Sequence, residues 1–223
     1  MVRESGKVGV IVVDVQGDFT TFKNGSLAVE GTDEAYIQTV EKATKRLKEG
    51  GFSIIATQDW HPRNHVSFFT SHQGKMAFDV IKIGRKDQVL WPPHCVQNSP
   101  GAEILLDKNL LTSIVKKGMN PNYDSYSGFK DDGGKKTGMD LFLRKNKISK
   151  VVIYGIATDY CVRATALDAL TAGYKVILVK DLCRGVSANT SKKAIEEMKS
   201  KGIVILEGLN LAKIKSIRCC GLW

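Results

Sequence analysis

Short apolar runs alternate with amphipathic stretches along most of the chain. Residues 8–13 are apolar at nearly every position, as expected for a strand covered on both faces. From residue 33 to 49 apolar side chains recur at helical spacing, and Gly50 and Gly51 end the pattern. The same reading predicts five more strands, at 52–57, 113–116, 151–154, 176–179 and 203–206. It predicts further helices at 137–146, 158–172 and 190–201.

This order of elements predicts an α/β fold. Right-handed crossovers between parallel strands place helices against the sheet, so we expect a mostly parallel six-stranded sheet with helices on both faces. We expect one domain over residues 1–223, a length that buries a substantial core. The segment from 60 to 112 is too long for a simple connection, and such segments in compact domains are usually functional.

Charge and hydropathy exclude several classes of partner. The net charge is +10, but the lysines are spread over predicted helices and loops, and aromatic residues make up only 8%. This pattern favours a solvated basic surface over a nucleic-acid site. No apolar run approaches the roughly 20 residues that span a bilayer, so no membrane association is expected. The first apolar run ends at an acid, which argues against a secretory signal and predicts a cytoplasmic protein. The sequence leaves a homo-oligomer open.

The five cysteines do not form a disulfide pattern. Their number is odd, their spacing is irregular and no C-x-x-C pair occurs, so at least one is expected to be a free thiol. They are Cys95, Cys161, Cys183, Cys219 and Cys220. The adjacent pair Cys219 and Cys220 suggests no interpretation.

Chemically versatile residues follow four of the predicted strands. Asp14 follows the first, Asp59 and His61 the second, Lys117 the third, and Cys161 lies in the helix turn after the fourth. The carboxyl ends of parallel strands share one edge of a sheet, where ligands bind. Each residue has an ordinary structural alternative: a turn or cap for Asp14, a strand-end position for Lys117, a small buried hydrophobe for Cys161. For the site to have no function, these ordinary alternatives would have to apply to all of the residues at once.

The chemistry of these residues suits a cysteine nucleophile. A free thiol with a pKa of about 8.5 is mostly protonated at neutral pH, and both a helix N-terminus and a neighbouring ammonium would stabilise the thiolate. Asp14 could accept the thiol proton and later donate it to a leaving group. Backbone amides of Ala157 and Cys161 could form an oxyanion hole.

A divalent metal ion is also expected. Asp59 and His61, joined by His94 from the end of the long segment, offer one carboxylate and two imidazoles with open positions left. This set suits Zn²⁺ best, with Fe²⁺ or Mn²⁺ as alternatives. His65 is a further candidate ligand, and His72 is interpreted as a surface residue.

Several motifs resemble those of nicotinamidases and pyrazinamidases, which belong to the isochorismatase-like cysteine hydrolase superfamily. The resemblance runs from about residue 8 to 206. The motifs are VVDVQGDF at 12–19, Asp59-Trp60-His61-Pro62, Trp91-Pro92-Pro93-His94-Cys95, Lys117-Gly118 and GIATDYCV at 155–162. The D-W-H and W-P-P-H-C elements are the ones most particular to nicotinamidases.

The resemblance implies roles for individual residues. Asp14, Lys117 and Cys161 would form the catalytic triad, and Asp59, His61 and His94 would hold the metal, with the pyridine nitrogen of the substrate as a further ligand. The substrate ring would lie between Phe19 and Trp91, and Tyr126 would close the pocket. A cis peptide is implied at Ile156–Ala157. Gly17 is a departure, because the family usually has Asn there.

The implied function is hydrolysis of nicotinamide to nicotinate and ammonia through a cysteine thioester, in NAD salvage. One alternative is another amidase of the superfamily that acts on carbamoyl or ureido compounds. Others are a non-catalytic protein that binds a small molecule or nucleic acid, and a redox thiol protein, although no resolving cysteine is close in sequence to Cys161.

Overall fold

The computed structural model describes residues 6–84 and 86–217. Cys219 and Cys220 lie outside these ranges. The strands are β1 (Lys7–Val13), β2 (Ser53–Asp59), β3 (Val80–Ile83), β4 (Lys86–Val89), β5 (Ser113–Lys117), β6 (Ile148–Ile156), β7 (Lys175–Arg184) and β8 (Val204–Leu206). The α-helices are α1 (Glu34–Glu49), α2 (Met139–Lys145), α3 (Arg163–Thr171), α4 (Ala188–Ser200) and α5 (Leu211–Ser216).

Six of these strands form one parallel sheet in the order β5-β2-β1-β6-β7-β8. This confirms the predicted α/β fold, with every strand pair of that sheet parallel. β1 and β6 are neighbours, but the chain steps outward from them in opposite directions. Right-handed crossovers therefore place α1 on one face and α3 and α4 on the other. The point between β1 and β6 is also where a ligand crevice opens at the carboxyl ends of the strands.

Local sequence explains the boundaries of α1. The side chain of Asp33 accepts a hydrogen bond from the amide of Tyr36 and so caps the first turn. Apolar residues of the helix, among them Val40 and Leu47, are fully buried, and Gly50 provides the C-cap. The helix predicted at 33–49 is thus confirmed. No helix among the described residues is long and apolar enough to cross a bilayer.

Three features were not predicted from the sequence. The long segment contains an antiparallel hairpin of β3 and β4, whose four-residue strands are too short to show a clear periodic pattern. The short helix α5 was also missed. The helix predicted at 158–172 begins with a wider π-type turn, Thr158–Val162, before α3. Cys161 lies in that turn, and π-type turns are frequent at functional sites.

Candidate active site

The ends of β1 and β5 and the turn after β6 bring a carboxylate, an ammonium and a thiol together. Lys117 Nζ lies 2.9 Å from Asp14 Oδ2 and 3.4 Å from Cys161 Sγ. A carboxylate oxygen of Asp14 lies within 4.8 Å of the Cys161 sulfur. All three side chains are buried. The residues that the sequence singled out as a catalytic set therefore share one site.

The two oxygens of Asp14 have different surroundings. Oδ1 accepts a 2.6 Å hydrogen bond from the hydroxyl of Thr57, which in turn accepts one from the Asp14 amide. Oδ2 is at ion-pair distance from Lys117 but accepts no hydrogen bond of suitable geometry within the described residues. Asp14 thus has one anchored oxygen and one oxygen that can still take a proton.

Burial decides the protonation of the thiol. Desolvation raises the pKa of Cys161 well above its usual value; the Lys117 ammonium lowers it and the carboxylates of Asp14 and Asp59 raise it further. As expected, the ammonium of Lys117 favours the thiolate, but the effect of burial on the pKa of Cys161 is larger and favours the thiol. Burial also raises the pKa of Asp14, against the opposing effect of Lys117. The thiol therefore needs a nearby base, and Asp14 is placed to be one.

A second group, Asp59, His61 and His94, could hold a metal ion. One ligand atom from each lies within 4.8 Å of the other two, and all three residues are buried. His61 Nδ1 donates a hydrogen bond to the carbonyl of Gly118 at 2.9 Å, and His94 Nδ1 donates to that of Pro92 at 2.8 Å. Carbonyls only accept, so these bonds leave both Nε2 atoms unprotonated in the neutral rings, which is the arrangement of metal-binding histidines.

Asp59 connects the metal-type group to the triad. Its Oδ1 accepts a 2.6 Å hydrogen bond from Lys117 Nζ, and its Oδ2 lies 3.5 Å from His61 Nε2. Although burial acts to raise the pKa of Asp59, the Lys117 ammonium holds it far below its usual range. Asp59 is therefore an anion, as a metal ligand must be.

The backbone of Asp59 is held by Gln16, a residue that sequence reasoning did not single out. Gln16 Oε1 accepts from the Asp59 amide at 2.7 Å, and Gln16 Nε2 donates to the Asp59 carbonyl at 2.9 Å. The same Nε2 donates to the carbonyl of Ala102. A fully buried amide side chain thus connects the loop after β1 to the end of β2. Its position two residues after Asp14 is the signal that could have identified it.

His65 is less available as a ligand. Its Nδ1 accepts from the amide of Ser67, so its Nε2 carries the proton and donates to the carbonyl of Tyr123 at 3.2 Å. His65 does form a second close group with His61 and Asp124. Because both of its ring nitrogens already have protein partners, the three-residue set without His65 is the better metal site. His72 is half-buried and donates to the carbonyl of Val66, outside both groups.

A pocket with about 470 Å³ of empty space, part of it open to solvent, reaches both groups. Phe19, Trp91 and Tyr126, the three residues predicted to contact a substrate ring, all line it. The indole of Trp91 donates to the hydroxyl of Tyr126 at 3.0 Å, which fixes both rings. The full lining is Phe19, Leu27, Val29, Asp59, Trp91, His94, Asp124, Ser125, Tyr126, Ile156, Ala157, Tyr160, Cys161 and Val186.

The oxyanion candidates and the implied cis bond also lie at this pocket. Ala157 and Cys161 both line it, and the peptide between Ile156 and Ala157 is cis. Asp124 and Tyr160 were missed as lining residues, although each is a near neighbour in sequence of a residue that was singled out. Asp124 is buried and accepts a hydrogen bond from Gln88 on β4, so the unpredicted hairpin supports the pocket wall.

Close packing accounts for glycine at position 17. A Cβ there would lie 3.1 Å from the Cα of Gly101 and 3.1 Å from the carbonyl oxygen of Pro100. Those contacts are with backbone, so a larger side chain requires residues 100–101 to move. Glycine at position 17 therefore permits a close approach between the loop after Asp14 and residues 100–101.

Comparisons with known proteins agree on one family. The isochorismatase domain matches residues 8–208. The nicotinamidase of Acinetobacter baylyi is 39% identical over 213 residues, which cover 94% of this chain and 96% of the relative. The pyrazinamidase of Pyrococcus horikoshii, solved in complex with zinc, is 41% identical with a TM-score of 0.75, covering 90% of this chain and 98% of that one. The yeast nicotinamidase, solved with the inhibitor nicotinaldehyde, is 31% identical with a TM-score of 0.82, covering 89% and 99%.

Proposed function

Because this chain belongs to the isochorismatase domain family, we propose that it is an amide hydrolase that converts nicotinamide to nicotinate and ammonia, with Cys161 as the nucleophile. One observation carries the proposal: Lys117 Nζ contacts Asp14, Asp59 and Cys161 at once, so the triad and the metal-type group serve a single pocket. The names of the relatives support nicotinamide and pyrazinamide as substrates.

The pocket has the features required to hold an aromatic carboxamide. Phe19, Trp91 and Tyr126 offer ring faces and edges, while the thiol lies at the inner wall. Asp59, His61 and His94 would hold a divalent ion, which Zn²⁺ fits best. When bound, that ion would supply a positive charge and an open coordination position for the ring nitrogen.

The first half of the reaction forms a thioester. Asp14 accepts the Cys161 proton as the sulfur attacks the carboxamide carbon. The amides of Ala157 and Cys161 receive the negative charge that develops on the carbonyl oxygen. The carbon–nitrogen bond then breaks, and ammonia leaves with the proton that Asp14 returns. Lys117 holds Asp14 in place and stabilises the sulfur while it carries charge.

The second half regenerates the enzyme. Water gives a proton to Asp14 as its oxygen attacks the thioester carbon, and the carbon–sulfur bond breaks. Asp14 returns the proton to the sulfur, and the carboxylic acid formed loses its own proton to solvent and leaves as nicotinate. One carboxylate therefore serves twice as base and twice as acid, which suits a group whose pKa is raised by burial.

The deciding experiment measures ammonia release from nicotinamide and pyrazinamide. Cys161→Ala is expected to lose at least about 10³-fold in kcat, since loss of a nucleophile removes most of the chemical rate enhancement. Cys183→Ala is the matched control, because Cys183 is also buried but does not line the pocket. Equal activity of wild type and Cys161→Ala would overturn the assignment of the nucleophile. If the wild-type protein hydrolyses ureido compounds but neither nicotinamide nor pyrazinamide, ureido compounds would replace nicotinamide as the proposed substrate.

A further inference from the structure

Asp159, two residues before the nucleophile, contacts a distant loop rather than the pocket. Its Oδ1 accepts a hydrogen bond from the amide of Val186 at 3.0 Å, and its Oδ2 accepts one from the amide of Ser187 at 3.3 Å. Oδ2 also accepts a hydrogen bond from the hydroxyl of Thr190. Three donors from five consecutive residues thus converge on one carboxylate that lies in the same turn as Cys161.

The donors lie at the beginning of α4, which has no cap of its own. Ser187 is the N-cap residue, but its side chain makes no capping hydrogen bond. Asp159 takes over that role across the chain, and its negative charge is favourable at a helix N-terminus. The contact is close: a Cβ on Gly185 would lie 1.9 Å from Ser191 Oγ and 3.1 Å from Asp159 Oδ1.

The loop held in this way contributes to the pocket. Val186 lines the same pocket as Ala157, Tyr160 and Cys161, and it is 48% exposed. The turn that carries the thiol and the wall that Val186 forms belong to different crossovers of the sheet, one after β6 and one after β7. Asp159 joins the two by direct hydrogen bonds.

We propose that Asp159 is a positioning residue that sets the distance between the Cys161 turn and the Val186 wall, and so fixes the width of the pocket at the thiol. The effect of Asp159 on catalysis rests on the proposed amide hydrolysis. Its effect on the width of the pocket does not depend on that function. Asp159 touches neither the pocket nor the triad, and it acts through the turn and the loop. A wider pocket would admit bulkier electrophiles to the sulfur and hold a small planar amide less well.

The test compares Asp159→Asn with Asp140→Asn. Asp140 is also in the first turn of a helix and accepts hydrogen bonds from Arg144 and Tyr174, but it lies outside the pocket, so its variant controls for general loss of stability. Thr190→Val removes only one of the three donors and serves if Asp159→Asn folds poorly. Each protein is alkylated, below its melting temperature, with iodoacetamide and with the bulkier N-ethylmaleimide, and the Cys161 peptide is quantified by mass spectrometry.

The expected result is a rise in the ratio of N-ethylmaleimide to iodoacetamide labelling at Cys161 in Asp159→Asn. A smaller rise is expected in Thr190→Val and none in Asp140→Asn. The kcat for nicotinamide should fall about tenfold or more in Asp159→Asn, because small misplacements of a reacting group are costly. An unchanged labelling ratio in both Asp159→Asn and Thr190→Val would overturn the proposal. If the wild-type protein does not hydrolyse nicotinamide, the proposed function is overturned. The labelling ratio at Cys161 still tests the role of Asp159, because labelling needs no substrate.

Discussion

His61 Nδ1 donates a 2.9 Å hydrogen bond to the carbonyl oxygen of Gly118, the residue that directly follows Lys117. One backbone carbonyl therefore orients a candidate metal ligand while the preceding side chain contacts the thiol. Gly118 has φ +66°, and a Cβ there would lie 2.3 Å from His61 Cε1. The imidazole can lie against this strand end only because position 118 has no side chain.

Gly118→Ala is accordingly expected to displace His61 and weaken metal binding by about 10–100-fold, as loss of an outer partner of a ligand typically does. The measurement is zinc affinity by competition with a chelator. Gly134→Ala is the matched control, because Gly134 also has positive φ (+89°) but nothing within 4 Å of its Cβ position. Equal zinc affinity in the two variants would contradict the role given to the close contact between position 118 and the His61 ring.

Gln16→Leu is expected to weaken metal binding in the same range, about 10–100-fold. The change keeps the volume of the side chain but removes both hydrogen bonds to the Asp59 backbone. Gln58→Leu is the control, since Gln58 donates to the same carbonyl of Ala102 without touching Asp59 through its side chain. Zinc titration of both proteins decides the matter, and a comparable loss in Gln58→Leu would contradict the role given to Gln16.

The activity of Thr57→Val should fall at higher pH than that of wild type as the solution is acidified. Asp14 must be ionised to accept the thiol proton. Burial raises its pKa and the hydrogen bond from Thr57 opposes this by stabilising the anion, so removing the hydroxyl raises the pKa further. The acidic limb of kcat/KM against pH reports the shift. Thr44→Val, which removes a buried hydroxyl bonded to Tyr154, should leave that limb in place.

Removal of the metal should lower both activity and thermal stability. A ligand present at 100 times its Kd stabilises the native state by about 2.7 kcal/mol, which corresponds to roughly 5–10 °C in Tm for a chain of this size. Asp59→Asn, which weakens the set of ligands, should show a much smaller change in Tm on chelation. Differential scanning calorimetry with and without chelator measures both. An unchanged Tm in wild type, in protein shown by elemental analysis to have contained metal, would contradict the assigned site.

The amino-acid pattern alone was enough to predict the order of the main strands and helices and which residues stand at the strand ends. Both follow from local rules: an apolar run such as 8–13 reports burial on two faces, and parallel strands place their carboxyl ends at one edge. These rules were sufficient to predict that Asp14, Lys117 and Cys161 lie close together. They were insufficient for the hairpin of β3 and β4, because strands of only four residues are too short for a periodic pattern to be recognised.

The contacts that give these residues their chemistry depend on the folded chain and could not be predicted from local patterns. Whether the Cys161 thiol keeps its proton depends on how completely it is desolvated. Which nitrogen of His61 faces the candidate metal site depends on the Gly118 carbonyl, and the hydrogen bonds of Asp159 depend on a loop 27 or more residues away. Such interactions join side chains far apart in sequence, and their strength depends on distances and burial that exist only once the sheet, the long segment and the helix turns have packed together.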